Sequence, residues 1–151
     1  MFTDPTTPNL ADFVVFALAQ GVPSADLVSP YTYASWALGY AQNVALTAPC
    51  DLPAIVYVMA VYNLAFHQML KTSPDQSGQT FFADIRKTYS LLSFVTGPIA
   101  STNDVSTGNA MVIPEWMKSM TIQANDLIRT VWGLSYLDYA QCYGPTIVGC
   151  S

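Results

Sequence analysis

Residues 52–70, LPAIVYVMAVYNLAFHQML, carry no formal charge and only three strongly polar side chains, Asn63, His67 and Gln68. A helix over this stretch is about 28 Å long, close to the thickness of a bilayer core. The chain must therefore place it in lipid or at the centre of a folded core. Asn63, His67 and Lys71 stand at i, i+4 and i+8, with Gln68 beside them, so the second half has one polar face. That stripe predicts a buried helix of a globular protein with one wet or partner-facing edge. A bilayer span over 52–70 is the alternative, and the flanking bases are too few to set a topology.

The surrounding sequence is helical in pattern. Pro8 and Asn9 precede LADFVVFALAQ, and Gly21 and Pro23 follow it, which is the order of helix start and stop signals. Ser29 and Pro30 read as N-cap and first helical residue of PYTYASWALGYAQNVAL, where Tyr33, Trp36, Ala37, Tyr40 and Val44 fall at helical spacing. Aromatic side chains in such an array predict core. Asp51 is placed to cap the apolar helix. In TFFADIRKTYSLLSF, Phe81, Phe82, Ile85, Tyr89 and Leu92 form an apolar face that runs until Gly97-Pro98. Pro114 and Glu115 open a further helix, with Trp116, Met120, Ala124, Leu127, Ile128 and Val131 as its buried stripe. Lys118, Asn125, Asp126 and Arg129 are its expected wet side. Gly133 is expected to end or kink it, with LSYLDYAQ continuing as a short helix. The prediction is an all-α bundle of about five helices over 1–143.

Two segments break the pattern. Residues 97–113, GPIASTNDVSTGNAMVI, are polar and longer than an ordinary connection. The ends, Ile99-Ala100-Ser101 and Met111-Val112-Ile113, suit short strands around a tip from Asn103 to Asn109, so a hairpin-like arm is expected. Residues 144–151, GPTIVGCS, lack helical pattern. Their centre, Thr146-Ile147-Val148, suits an extended segment.

Charge narrows the function. Only 10% of residues are charged, against about 25% in an average domain. The net charge is −5, and of the five bases (Lys71, Arg86, Lys87, Lys118, Arg129) only Arg86 and Lys87 are adjacent. A phosphate-gripping surface needs clustered bases, so nucleic-acid binding is not expected. Asp4, Asp26, Asp51, Asp75 and Asp104 fall at caps and turns. His67 is the single histidine, too few donors for a metal, and is read as a packed, hydrogen-bonded side chain. No phosphate loop, GxSxG or HExxH occurs, so no catalytic residue, cofactor or metal is expected. Cys50, Cys142 and Cys150 have neither disulfide-framework nor metal spacing, which suggests reduced thiols. The acidic N-terminus lacks a secretory pattern. Scarce charge and many aromatics are what large interfaces use, so an assembly subunit is expected rather than an enzyme.

Three stretches in order carry a resemblance: NLAFHQML (63–70), GPIAS with NDVSTGNA (97–110), and TVWGLSYL (130–137). Together the chain resembles the head-to-tail adaptor (connector) proteins of tailed bacteriophages, over about two-thirds of its length. Phe66 stands where that pattern has alanine before the histidine, and Trp132 where tyrosine is commoner. The resemblance implies a helical virion protein, made in the host cytoplasm, that forms a homo-oligomeric ring at the neck beneath the portal. DNA passes through such a ring without specific binding, and no membrane is involved. It also implies portal binding by the C-terminal segment, here Tyr143, Pro145, Thr146, Ile147 and Val148 of a docking tail over 144–151. The arm would meet a neighbouring subunit or a neck or tail protein through Ile99, Ser101, Asn103, Asp104, Val105, Asn109 and Met111. The alternatives are a small integral membrane protein and a non-viral helical ligand-binding domain.

Overall fold

The computed structural model describes residues 3–44, 53–93, 101–103, 108–110 and 122–143. Asn9 caps the first helix, α1 (Leu10–Ala19), its side-chain oxygen accepting the Asp12 N–H at 2.8 Å. Beyond Gln20, Gly21 takes φ +95°, the left-handed conformation in which a glycine stops a helix at no steric cost. A single 3-10 turn, Ser24–Asp26, follows.

The second helix, α2 (Thr32–Val44), starts later than Ser29 and Pro30 suggested. Tyr31 donates its N–H to Val28 O at 2.8 Å and sits at φ 56°. Pro30 thus belongs to a turn ahead of the helix, and the left-handed Tyr31 separates the two. On α2 the buried residues are Ala34, Ala37, Leu38 and Ala41. Tyr33, Trp36, Tyr40 and Val44 face outward, and Trp36 is 66% exposed. The aromatic stripe is surface, against the expectation of core, because the small residues beside it allow α2 to lie close on its neighbour.

That neighbour is α3 (Ala54–Thr72), against which α1, α2 and α4 (Phe81–Thr88) all pack. Its start is set by Pro53, whose carbonyl accepts from Val56 and Tyr57 N–H; the cap expected from Asp51 lies outside the described residues. From Val58 to Leu70 nearly every α3 side chain is buried, as befits a helix apolar almost all round. Phe13 and Phe16 of α1 meet Tyr62 with ring centroids 5.7 and 5.8 Å apart, and Phe16 meets Phe66 edge-on at 5.9 Å. Each such ring contributes roughly 1.5–3 kcal/mol by leaving water. Among the described residues no helix is long and apolar enough to cross a membrane.

Asp75 binds the Phe82 and Ala83 N–H groups at 2.6 and 2.9 Å, capping α4 from outside the helix. Arg86 turns back to the carbonyls of Leu70 and Ser73, at 3.3 and 2.6 Å, and so closes the end of α3. The helix expected to reach Gly97 stops at Thr88. Ser90 is at φ 51°, Leu91 N–H bonds Arg86 O at 3.0 Å, and Ser90 N–H bonds Lys87 O at 3.3 Å. This is a Schellman ending, with serine in the place usually held by glycine. It buries Leu91 and turns Leu92 out to solvent, reversing the role expected of Leu92.

Within the polar segment, β1 (Ser101–Asn103) and β2 (Gly108–Ala110) pair antiparallel, with Ser101 opposite Ala110 and Asn103 opposite Gly108. The pairing therefore includes Asn103 and Asn109, which the sequence pattern placed in the tip. A polar strand forms here because the ladder is made by backbone groups, not by side-chain character. Last come α5 (Ile122–Leu127) and α6 (Val131–Tyr143), separated by a tight turn at 128–130. The start expected at Pro114 and Glu115 lies outside the described residues. Gly133 neither ends nor kinks a helix but lies within the first turn of α6. A Cβ there would stand 2.0 Å from the Leu127 carbonyl oxygen, so only glycine lets the two helices meet at this angle. The break has come earlier, at Thr130, and it leaves Val131 exposed rather than in the buried stripe.

Candidate functional site

The residues most able to do chemistry meet where α3 faces the α5–α6 turn. His67, 2% exposed, projects from the middle of α3. Its Nδ1 lies 2.7 Å from Thr130 Oγ1 and its Nε2 lies 3.2 Å from Asp126 Oδ2. Lys71, one turn further along α3, donates to the same Asp126 oxygen at 2.6 Å. Thr130 Oγ1 in turn accepts the Gly133 N–H at 3.0 Å. The sequence pattern places Asn63, His67 and Lys71 on a wet or partner-facing edge, with His67 packed and hydrogen-bonded, and Asp126 on a wet side. The edge faces a partner within the chain: Asn63 is buried and donates to Met59 O at 2.8 Å, and His67 and Lys71 both close on Asp126. Lys71 and Asp126 are each only about a quarter exposed.

The hydrogen bonds fix the protons. Asp126 is an acceptor only, so it takes the proton of a neutral ring on Nε2 and leaves Nδ1 to accept from the Thr130 hydroxyl. The other tautomer would turn a lone pair toward the carboxylate. Burial holds the His67 pKa below its ordinary value, against the pull of Asp126 in the opposite direction. For Asp126, burial works upward, but hydrogen bonds from Lys71 and His67 outweigh it and lower the pKa. The result is a neutral imidazole between a hydroxyl and a carboxylate.

Hydroxyl, histidine and aspartate are also the components of nucleophilic triads, but the arrangement differs. Thr130 is 1% exposed, so its oxygen is closed to any substrate in this conformation. The group ties α3 to α5 and α6 through polar contacts in which both His67 ring nitrogens and the Thr130 oxygen are bonded. Among the described residues no group of histidine, cysteine and acidic side chains could hold a metal ion.

The same junction brings together two of the three stretches that carry the family resemblance. His67 of NLAFHQML reaches Thr130 of TVWGLSYL, and Phe66 meets Trp132 edge-on at 4.6 Å. The two departures from the pattern, Phe66 and Trp132, thus touch one another. Trp132 also stacks its edge near Tyr89 and donates its indole N–H to Gln20 Oε1 at 2.9 Å. Of the contact residues expected from the sequence, Tyr143 ends α6 and is exposed. Ser101, Asn103 and Asn109 lie on β1 and β2. Ile99, Asp104, Val105, Met111, Pro145, Thr146, Ile147 and Val148 lie outside the described residues. The α2 face was not foreseen as surface; the alternation of Ala34, Ala37 and Ala41 with the aromatics was the available signal.

A scan of protein-family models, a search of curated proteins and a search of solved structures found no match to this chain.

Proposed function

We propose that this chain is a structural virion subunit, the head-to-tail adaptor of a tailed bacteriophage, assembled as a ring under the portal and joining capsid to tail. The observation that carries the reading is the pair of apolar surfaces left on a charge-poor chain. Tyr33, Trp36, Tyr40 and Val44 line the outer face of α2, while Val131 and Leu134 stand exposed on α6. A cyclic ring joins one face of each subunit to a different face of the next, so it needs two such surfaces. The internal contact between the two motif-bearing stretches, His67 to Thr130, supports the resemblance from which the phage assignment comes. A net charge of −5 suits a channel through which DNA slides, since it offers phosphates no grip.

In this reading the arm around β1 and β2 meets a neighbouring subunit or tail protein, and residues 144–151 dock on the portal. The protein acts without catalysis or cofactor. A mass measurement on the purified full chain, without detergent, alone and with a portal protein, tests it. The expected result is a closed oligomer of the 16.4 kDa subunit, formed alone or on the portal. A monomer that ignores the portal rejects the proposal, and a chain that stays dispersed only in detergent favours the membrane alternative. Deleting 145–151 is expected to abolish portal binding while leaving the helical circular-dichroism signal unchanged.

A further inference from the structure

The loop before α2 and the end of α3 enclose a second feature, which shares Tyr33 with the outer face of α2. A cleft of about 210 Å3 lies between residues 26–34 and the Met69–Gln76 segment. Two of its lining side chains are buried polar groups with an unspent atom. Asp26, 8% exposed, uses Oδ1 to accept the Gln76 N–H at 3.0 Å, while its Oδ2 has no hydrogen-bond partner among the described residues. Ser73, 4% exposed, has an equally unpartnered Oγ. These are the two buried side-chain atoms without a partner among the described residues, and both border the same cleft.

An unpaired carboxylate oxygen in a buried wall is costly unless a donor reaches it, and a cation compensates it best. Three of the chain's five cations are engaged elsewhere. Lys71 pairs with Asp126 and Arg86 with Asp75, while Arg129 bonds the Ser90 and Ser93 carbonyls. No ion pair among the described residues includes Asp26. The volume is several times the roughly 30 Å3 share of one water, yet below the roughly 300–1,000 Å3 of a drug-sized pocket. Tyr31, Tyr33 and Met69 supply aromatic and polarizable wall, which suits a cation with an apolar stem. Tyr31 also holds the left-handed φ of 56°, the kind of backbone conformation found at ligand clamps.

We propose that this cleft binds a single cationic nitrogen group, an alkylammonium or alkylguanidinium, with Asp26 as its counter-ion and Ser73 as a second hydrogen-bond partner. The group arrives either as a small free amine or as a lysine or arginine side chain of another protein. Binding is a property of this chain alone and stands apart from the ring, which is read by mass.

The test titrates the full-length protein with n-butylammonium, ethylguanidinium and the neutral control 1-butanol, followed by amide NMR shifts and thermal stability. Saturable shifts confined to residues 26–34 and 69–76 are expected with a cation, at least about tenfold weaker with butanol, because charge-assisted hydrogen bonds are the stronger kind. Asp26→Asn keeps the oxygen that accepts the Gln76 N–H, and is expected to weaken the cation about tenfold or more. Ser73→Ala removes an oxygen with no partner among the described residues, so the fold is retained and affinity falls about threefold. Tighter binding of N-acetyl-lysine or N-acetyl-arginine methylamide than of the simple amines marks a protein-borne side chain. Tighter binding of the simple amines marks a free ligand. Absence of saturable shifts, equal binding of butanol, or unchanged affinity in Asp26→Asn overturns the proposal.

Discussion

Of two stripes at helical spacing, one meets partners inside the chain and the other stands outside it. Asn63, His67 and Lys71 on α3 make the polar one, and Tyr33, Trp36, Tyr40 and Val44 on α2 make the apolar one. Asn63 and His67 of the polar stripe are buried and Lys71 is about a quarter exposed, whereas the apolar stripe faces outward. Burial follows from partners as much as from hydropathy. His67 can be buried because Thr130 and Asp126, some 60 residues later, satisfy both ring nitrogens. The α2 aromatics stay outside because Ala34, Ala37 and Ala41, beside them on the same helix, let its other face lie close on α3. A polar group inside a fold with all its bonds made is stable, and an aromatic outside it is a surface for something else.

The comparison can be broken most forcefully at the α5–α6 contact on which the polar stripe depends. Gly133→Ala places a Cβ 2.0 Å from the Leu127 carbonyl oxygen. The two helices must separate, carrying Thr130 away from His67, and a loss of about 4 kcal/mol or more is expected in denaturant unfolding. A loss below 1 kcal/mol would show that the junction yields easily and that the contact does not hold the brace.

His67→Ala is expected to cost about 3 kcal/mol, since it leaves a cavity and strips both Thr130 and Asp126 of a partner. The pH dependence is sharper. His67 is held below its ordinary pKa, so the unfolded chain binds the proton first. Its contribution is complete above the ordinary value of about 6.5 and is lost as pH falls from there toward the folded pKa. Two carboxylates at the start of the chain are held low: Asp4, hydrogen-bonded by Thr6 and Thr7, is lowered to about 2. Asp12 is also depressed despite its burial, because the Asp4 and Thr3 N–H groups and Asn9 all donate to it. The first acid-induced fall in Tm therefore belongs to His67, and His67→Gln is expected to flatten it. A fall of the same size in that variant would assign the transition to another group.

The smallest effect on stability belongs to the apolar stripe. Trp36→Ser is expected to change unfolding free energy by less than about 0.5 kcal/mol, as for other exposed positions. The same substitution should reduce assembly mass if α2 is an inter-subunit face. A large loss of stability with assembly intact would mean that Trp36 packs within its own subunit and would remove the contrast between the stripes.

Much of the frame was legible in the sequence. The Asn9 cap and Gly21 stop bound α1, and the uncharged run from 52 to 70 marked α3 as the axis, because such signals act through a residue's own backbone or nearest neighbours. Element ends set by distant partners were not legible. Asp75 reads as a cap or turn residue and does cap α4, though the helix it serves is not marked by spacing, and nothing local says that Ser90 takes the left-handed role of a glycine. The His67 site was half visible: the histidine could be named as packed and hydrogen-bonded, but its partners Thr130 and Asp126 could not.

What the sequence alone determined is the helical class, the central helix and the poverty of charge, all consequences of composition and short-range periodicity. Tertiary structure decided which face of each helix is inside. That choice depends on the fit between surfaces far apart in the chain. Glycine 133 permits the approach of α5 and α6, Thr130 and Asp126 complete His67, and the alanines of α2 seat it on α3. Hydropathy supplies the material for burial, and complementarity selects what is buried.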